Sequence, residues 1–203
     1  MSHNLLILFL FCLLVDSSKC VEVACSNDTY VNAVCECTER TRTVNCTNRG
    51  LNEWPVGIPV NTLFLYLRDN NLKKIDTNAL LELQELISIN LHNNLLTSLP
   101  RFPKTIVSVY AMNNMLTEVS TCFNDLPNLR HVNIDHNSIS ILKNTTVKGS
   151  NLVDHLFLLG NSLQSIPARA FQGKYFTEIS LKENQIRFID KDAFVAVDYV
   201  HRL

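Results

Sequence analysis

The chain has 203 residues, a net charge of −1, 46% hydrophobic and 18% charged residues, 5 Gly and 6 Pro. That charge argues against a nucleic-acid binder, which needs a basic face to displace phosphate counterions, and the composition argues against a disordered or low-complexity chain. The length suits one ordinary domain or one short repeat array. At the N-terminus, residues 5–15 (LLILFLFCLLV) are unbroken apolar, too short to span a bilayer, and run into Asp16-Ser-Ser-Lys19. This is the layout of a secretory signal peptide over residues 1–17, with Cys20 as a second cleavage point. No later stretch is long and apolar enough to cross a membrane, so the mature chain reads as secreted or extracellular.

From residue 62 one hydrophobic pattern recurs, L-x-x-L-x-L-x-x-N-x-L. It reads TLFLYLRDNNL, LISINLHNNLL, IVSVYAMNNML, LRHVNIDHNSI, VDHLFLLGNSL and FTEISLKENQI, starting at Thr62, Leu86, Ile106, Leu129, Val153 and Phe176. The spacings of 24, 20, 23, 24 and 23 residues and the pattern resemble leucine-rich repeats. Positions 4 and 6 of each repeat alternate along a short strand and point inward, while position 11 turns the chain back over the core. The position 9 asparagines, Asn70, Asn94, Asn114, Asn137, Asn161 and Asn184, are expected to form a ladder between neighbouring turns. Four repeats then place a small residue before a bulky one on the convex side, at Ala79-Leu80, Cys122-Phe123, Ala170-Phe171 and Ala193-Phe194. Cys122 reads as a buried thiol acting as a small hydrophobe. The second repeat returns through Leu99-Pro100 and Phe102-Pro103, extended rather than helical. The expected fold is α/β, a right-handed leucine-rich repeat horseshoe. Its concave sheet is parallel and its convex side mostly irregular or short-helical. Residues 62–199 hold six repeats, and 200–203 begin a seventh.

Residues 18–61 precede the array. They contain Cys25, Cys35, Cys37 and Cys46, then Leu51-Asn-Glu-Trp-Pro55 and Ile58-Pro59-Val-Asn-Thr62. This string resembles the cysteine-rich N-terminal cap of extracellular leucine-rich repeat proteins such as Slit, the Nogo receptor, the small matrix proteoglycans and the variable lymphocyte receptors. The resemblance covers residues 25–203. It implies disulfides Cys25–Cys37 and Cys35–Cys46, although four cysteines permit three pairings. Nine residues separate Cys25 from Cys35, more than the family usually has, so a pairing through Cys20 stays open. Such a cap covers the apolar face of the first repeat, and its disulfides fit an oxidising compartment. In the repeat frame Val44 and Cys46 take inward positions 4 and 6, with Leu51 and Trp54 over the end. At the other end Val200 takes position 1 and Leu203 position 4 of a further repeat. The array is therefore expected to continue beyond residue 203, or else to be covered by a second copy in a homodimer through the uncapped end.

Asn27, Asn45 and Asn144 head glycosylation sequons. Asn144 falls on the convex return and Asn45 at concave position 5 of the cap. No Ser-Gly pair occurs, which counts against glycosaminoglycan attachment.

Positions 3, 5, 7 and 8 face the inner curve, where the fold leaves residue identity open, so function is sought there. The candidate ligand-binding residues are Phe64, Tyr66, Arg68, His92, Tyr110, Met112, His131, Asp135, His155, Phe157 and Leu159. Rigid aromatics among small polar residues suit a protein-binding hot spot. His92, His131, His136 and His155 share this face, with His131 and His155 at position 3 of adjacent repeats and Asp135 and Asp154 close by. The histidines read first as contact residues, second as a pH-sensitive binding edge and third as a metal site, to which no residue is assigned. The chain has no Gly-rich phosphate loop, no HExxH and no GxSxG, and an open curved sheet encloses no nucleophile. A non-enzymatic module without a cofactor follows, binding a protein or glycan ligand. The alternative is a structural matrix component that binds fibrils or associates with itself.

Overall fold

The computed structural model describes residues 24–25, 34–119, 121–142, 153–171, 175–195, 197 and 199–202. The signal segment, Cys20, Asn27, Asn144 and Leu203 lie outside them. A curved sheet of nine strands runs along one side, built from β1 (Glu36–Thr38), β2 (Thr43–Asn45), β3 (Phe64–Tyr66), β4 (Ser88–Asn90), β5 (Ser108–Tyr110), β6 (His131–Asn133), β7 (His155–Phe157), β9 (Tyr175–Ser180) and β11 (Tyr199–Arg202), in that order. From β2 onward every pairing is parallel, and the position 4 residues Val44, Leu65, Ile89, Val109, Val132, Leu156 and Ile179 stand opposite one another. In β11, Val200 pairs with Phe176. All seven position 4 side chains are buried, as are Leu67, Leu91, Ala111, Ile134 and Leu158 at position 6. One apolar spine thus fills the solenoid from cap to last turns.

The convex side is mostly irregular. Among the described residues it carries one short α-helix, α1 (Thr77–Glu82), and a 3-10 turn at Thr121–Phe123; the first turn of α1 is capped by Asp76, which accepts from the backbone N–H groups of Asn78 and Ala79 at 2.9 and 3.1 Å. The small-then-bulky pairs pack beneath this side. Phe123 stacks on Phe102 at 5.8 Å between centroids, and Phe171 lies 5.9 Å from Phe176 and 5.2 Å from Phe194. Cys122 is buried among them. The second repeat returns without a helix. A feature absent from the sequence reading is a second, parallel pair on this side, β8 (Ser165–Ile166) with β10 (Phe188–Ile189).

The cap adds β1 antiparallel to β2, with Cys37 opposite Val44. Cys25 is bonded to Cys37 and Cys35 to Cys46. Cys46 and Leu51 are fully buried against the first repeat, with Trp54 packed beside them. Covalent links here replace the apolar area that so short a segment cannot bury.

The turns are joined by the position 9 asparagines. Each Nδ2 donates to the position 6 carbonyl of the preceding turn, at 2.8 to 3.1 Å, and to the position 6 and 7 carbonyls of its own turn. Each Oδ1 accepts the position 11 N–H of the preceding turn, from Leu51 through Leu163. A side chain that both donates and accepts is required, and Asn has the reach. Replacing Asn161 with Ala strands the N–H of Ile139 and takes from the carbonyls of Ile134 and Leu158 one of the two donors each has, leaving Asn137 and Asn184, and should cost about 1–3 kcal/mol. Asn71→Ala, at an exposed position, should stay within about 0.5 kcal/mol of the parent. Chemical denaturation of the two variants checks the difference.

Candidate functional site

Because strands β2 to β7 are three residues long, only positions 3 and 5 leave them toward the inner curve, and positions 7 and 8 form the turn that follows. Position 5 carries the aromatics. Tyr66 and Tyr110 are 36% and 37% exposed, and Phe157 is half-buried. Between them Asn90 and Asn133 turn back on the chain, each accepting an N–H two residues on, from His92 and Asp135, at 3.0 Å. Asn45 in the cap does the same with Thr47 at 3.1 Å. In register Asn45 pairs with Tyr66, so a glycan on it would stand beside that ring. Phe64, Met112 and Leu159 are half-buried and Arg68 is exposed, its Nε 2.8 Å from Asp69.

Position 8 departs from the expectation that concave identities are open. Asn48, Asp69, Asn93, Asn113, His136, Gly160 and Glu183 all have φ between 49° and 65°, the left-handed region that Asn, Asp and Gly enter at least cost. The fold therefore selects this row. Asn93 donates to Asp69 at 2.6 Å and Asn113 to Asn93 at 2.8 Å, and the first of these bonds, with help from Arg68, holds the Asp69 carboxyl below its ordinary range. At Gly160 a Cβ would run into the His136 ring, so any other residue here would have to displace that exposed ring. Asp135 also serves the fold. It is buried, accepts the Leu159 N–H at 2.7 Å, and burial raises its pKa. It braces a turn instead of facing a ligand.

The histidines do not behave alike. His136 is exposed and lies over Gly160. His92 is half-buried, with an Nδ1 that meets no hydrogen-bond partner, and burial lowers its pKa. His131 and His155 are brought together. Their Nδ1 atoms are 3.0 Å apart and their ring centroids 5.1 Å, and Phe157 packs on His155 at 5.6 Å. A shallow cavity of about 250 Å³ opens beside them. Its floor is Val132 and Asn133, its walls are Tyr110, His131, His155 and Phe157, and Glu178 borders it from the next strand. Burial first, and the neighbouring His155 second, lower the His131 pKa, against a raising influence from Asp154.

The structure thus gathers Tyr110, His131, His155 and Phe157 at one place. Tyr66 and Arg68 lie two strands away on β3 and its turn, and Asp135 withdraws into the fold. The left-handed row was missed although its signal is in the sequence, in Asp, Asn, Asn and Gly recurring just before the ladder asparagines.

No family model matches the chain. Among curated proteins it is 30% identical over 199 residues to mouse podocan, covering 83% of this chain and 32% of that protein. It is 27% identical to human oligodendrocyte-myelin glycoprotein, over 79% of this chain and 41% of the other. It is 28% identical to human leucine-rich repeats and immunoglobulin-like domains protein 1, over 76% and 17%. The chain therefore spans less than half the length of these relatives. Among solved structures, a chain from the octameric complex of Latrophilin 3, Unc5D and the FLRT2 leucine-rich repeats superposes with a TM-score of 0.73. It is 27% identical, with 85% of this chain and 53% of that one covered. A non-enzymatic, extracellular protein fits these relatives. Among the described residues no helix is long and apolar enough to cross a membrane.

The lowered His131 pKa has a stability consequence. In the unfolded chain the ring takes its proton near its ordinary 6.5, while the folded chain resists it. Stability is therefore full above that value and is lost as the pH falls through it. Between about pH 7.5 and 5.5 the denaturation midpoint should fall, and it should fall less in His131→Asn. Asp135, with its pKa raised, acts in the opposite direction at more acid pH, so the paired variant isolates the histidine.

Proposed function

We propose that this chain, which belongs to the extracellular leucine-rich repeat proteins with a cysteine-rich N-terminal cap, is a recognition module that captures a protein ligand on its concave sheet. One observation carries the reading: the fold turns Asn90 and Asn133 back onto the backbone and leaves Tyr66, Tyr110 and Phe157 standing from the same row. Rigid aromatic side chains on paired strands lose little entropy when a partner covers them, and such residues dominate binding energy at protein interfaces. The cavity between Tyr110 and Phe157 offers a place for one anchoring side chain of the partner. The likeness to a chain from an assembly of several proteins supports a protein ligand before a glycan.

The triple variant Tyr66→Ala/Tyr110→Ala/Phe157→Ala should weaken capture of the ligand by at least about thirtyfold, as loss of a hot-spot cluster does. A convex variant, Met115→Ser/Ile141→Ser, changes two exposed apolar residues and should leave capture intact. Surface plasmon resonance on folded proteins, matched by thermal melting, checks both. Full capture by the triple variant with loss in the convex one would overturn the reading in favour of a matrix component that associates through its outer side.

A further inference from the structure

We propose that His131 and His155 together bind a divalent transition-metal ion, Zn2+ or Cu2+, leaving its remaining coordination positions open toward the concave cavity. The sequence frame set the two residues side by side. What the structure adds is the approach of their Nδ1 atoms to 3.0 Å. Nitrogen ligands sit about 2.0–2.1 Å from zinc, so two of them on adjacent corners of a coordination shell stand roughly 2.9–3.4 Å apart. The pair already has that separation.

The scaffold holds it there. His131 and His155 open β6 and β7 and are in register. Their backbone N–H groups donate to Val107 and Arg130, each at 3.0 Å. Phe157 packs against the His155 ring, so the imidazoles meet the ion with little freedom left to lose. Without a metal, one ring donates its Nδ1–H to the Nδ1 lone pair of the other. With one, both Nδ1 lone pairs face the ion and the protons reside on Nε2. The charged neighbours acting on His131 are His155, Asp154 and Arg130; Asp154 attracts a cation and Arg130 opposes it.

Among the described residues no group of three His, Cys, Asp or Glu closes into a complete metal cluster. A bound ion would therefore keep water in its other positions, exposed beside Tyr110 where the cavity opens. A carboxylate or imidazole of the ligand could displace that water, and this last step alone rests on the concave face being the binding face.

The test uses the full secreted chain and the metal alone, following histidine ring proton resonances by NMR at about pH 7.4. Zn2+ and Cu2+ should perturb His131 and His155 together and saturate at one ion per chain. Copper should bind more tightly, following the usual order of divalent ions, and Mg2+ should have no effect. His131→Asn and His155→Asn, polar and close in shape, should each weaken binding at least about tenfold while melting as folded proteins, and lowering the pH to about 5.5 should do the same by protonation. No saturable change up to about millimolar metal, or binding unaltered in both variants, would overturn the proposal. Tyr66→Ala, on β3 and away from the pair, keeps both histidines and the Phe157 ring against them and should still bind metal. Ligand capture left intact by the aromatic variants would count against the concave binding face alone, and metal binding stands or falls separately.

Discussion

A chain that folds back on itself every two dozen residues carries backbone polar groups into its own core at every turn, where water cannot reach them. The position 9 asparagine is the answer at each turn: three carbonyls and one N–H find partners on a single side chain, two of those four groups belonging to the turn before. A left-handed residue immediately ahead swings the chain so that the asparagine points inward. These two positions set the distance and register between turns, and the parallel sheet follows from them. Leucine and isoleucine at positions 4, 6 and 11 then fill a space whose dimensions the polar groups have already fixed.

This division of labour explains what is available for recognition. Each three-residue strand commits its middle residue to the core and leaves two facing outward, one on each side of it. Where those are asparagine they are spent on local backbone bonds; where they are aromatic or imidazole, they touch one another, as His131, His155 and Phe157 do. With the exposed rings of Tyr66 and Tyr110 they form a surface suited to a partner. The cap serves the same end by closing the first turn with disulfides, so that the sheet begins from a fixed edge.

Much of this was legible. The hydrophobic spacing placed Val44 and Cys46 as well as Leu65 through Ile179, because burial of alternate residues leaves a periodic trace. It also aligned His131 with His155. Position 8 was legible in principle and was misread as free surface, since its constraint is on φ and a pattern search for apolar residues does not see it. Asp135 looked like a surface carboxylate; only coordinates reveal that the Leu159 N–H draws it inward. The convex pair of Ser165–Ile166 with Phe188–Ile189 rests on two residues a side, too short for alternation to show. The imidazole separation depends on ring orientation, which no sequence periodicity encodes.

The most direct measurement is amide hydrogen exchange at position 11. In most secondary structure slow amides bond to backbone carbonyls, but the N–H groups of Leu72, Leu96, Leu116, Ile139 and Leu163 bond to asparagine side chains of the following turn. If those side chains hold the turns in register, these five amides should exchange as slowly as the strand amides of Ile89, Val109 and Val132, opening only when the array opens. Exchange at the rate of exposed turns, with the strands still protected, would contradict the ladder as the source of the register.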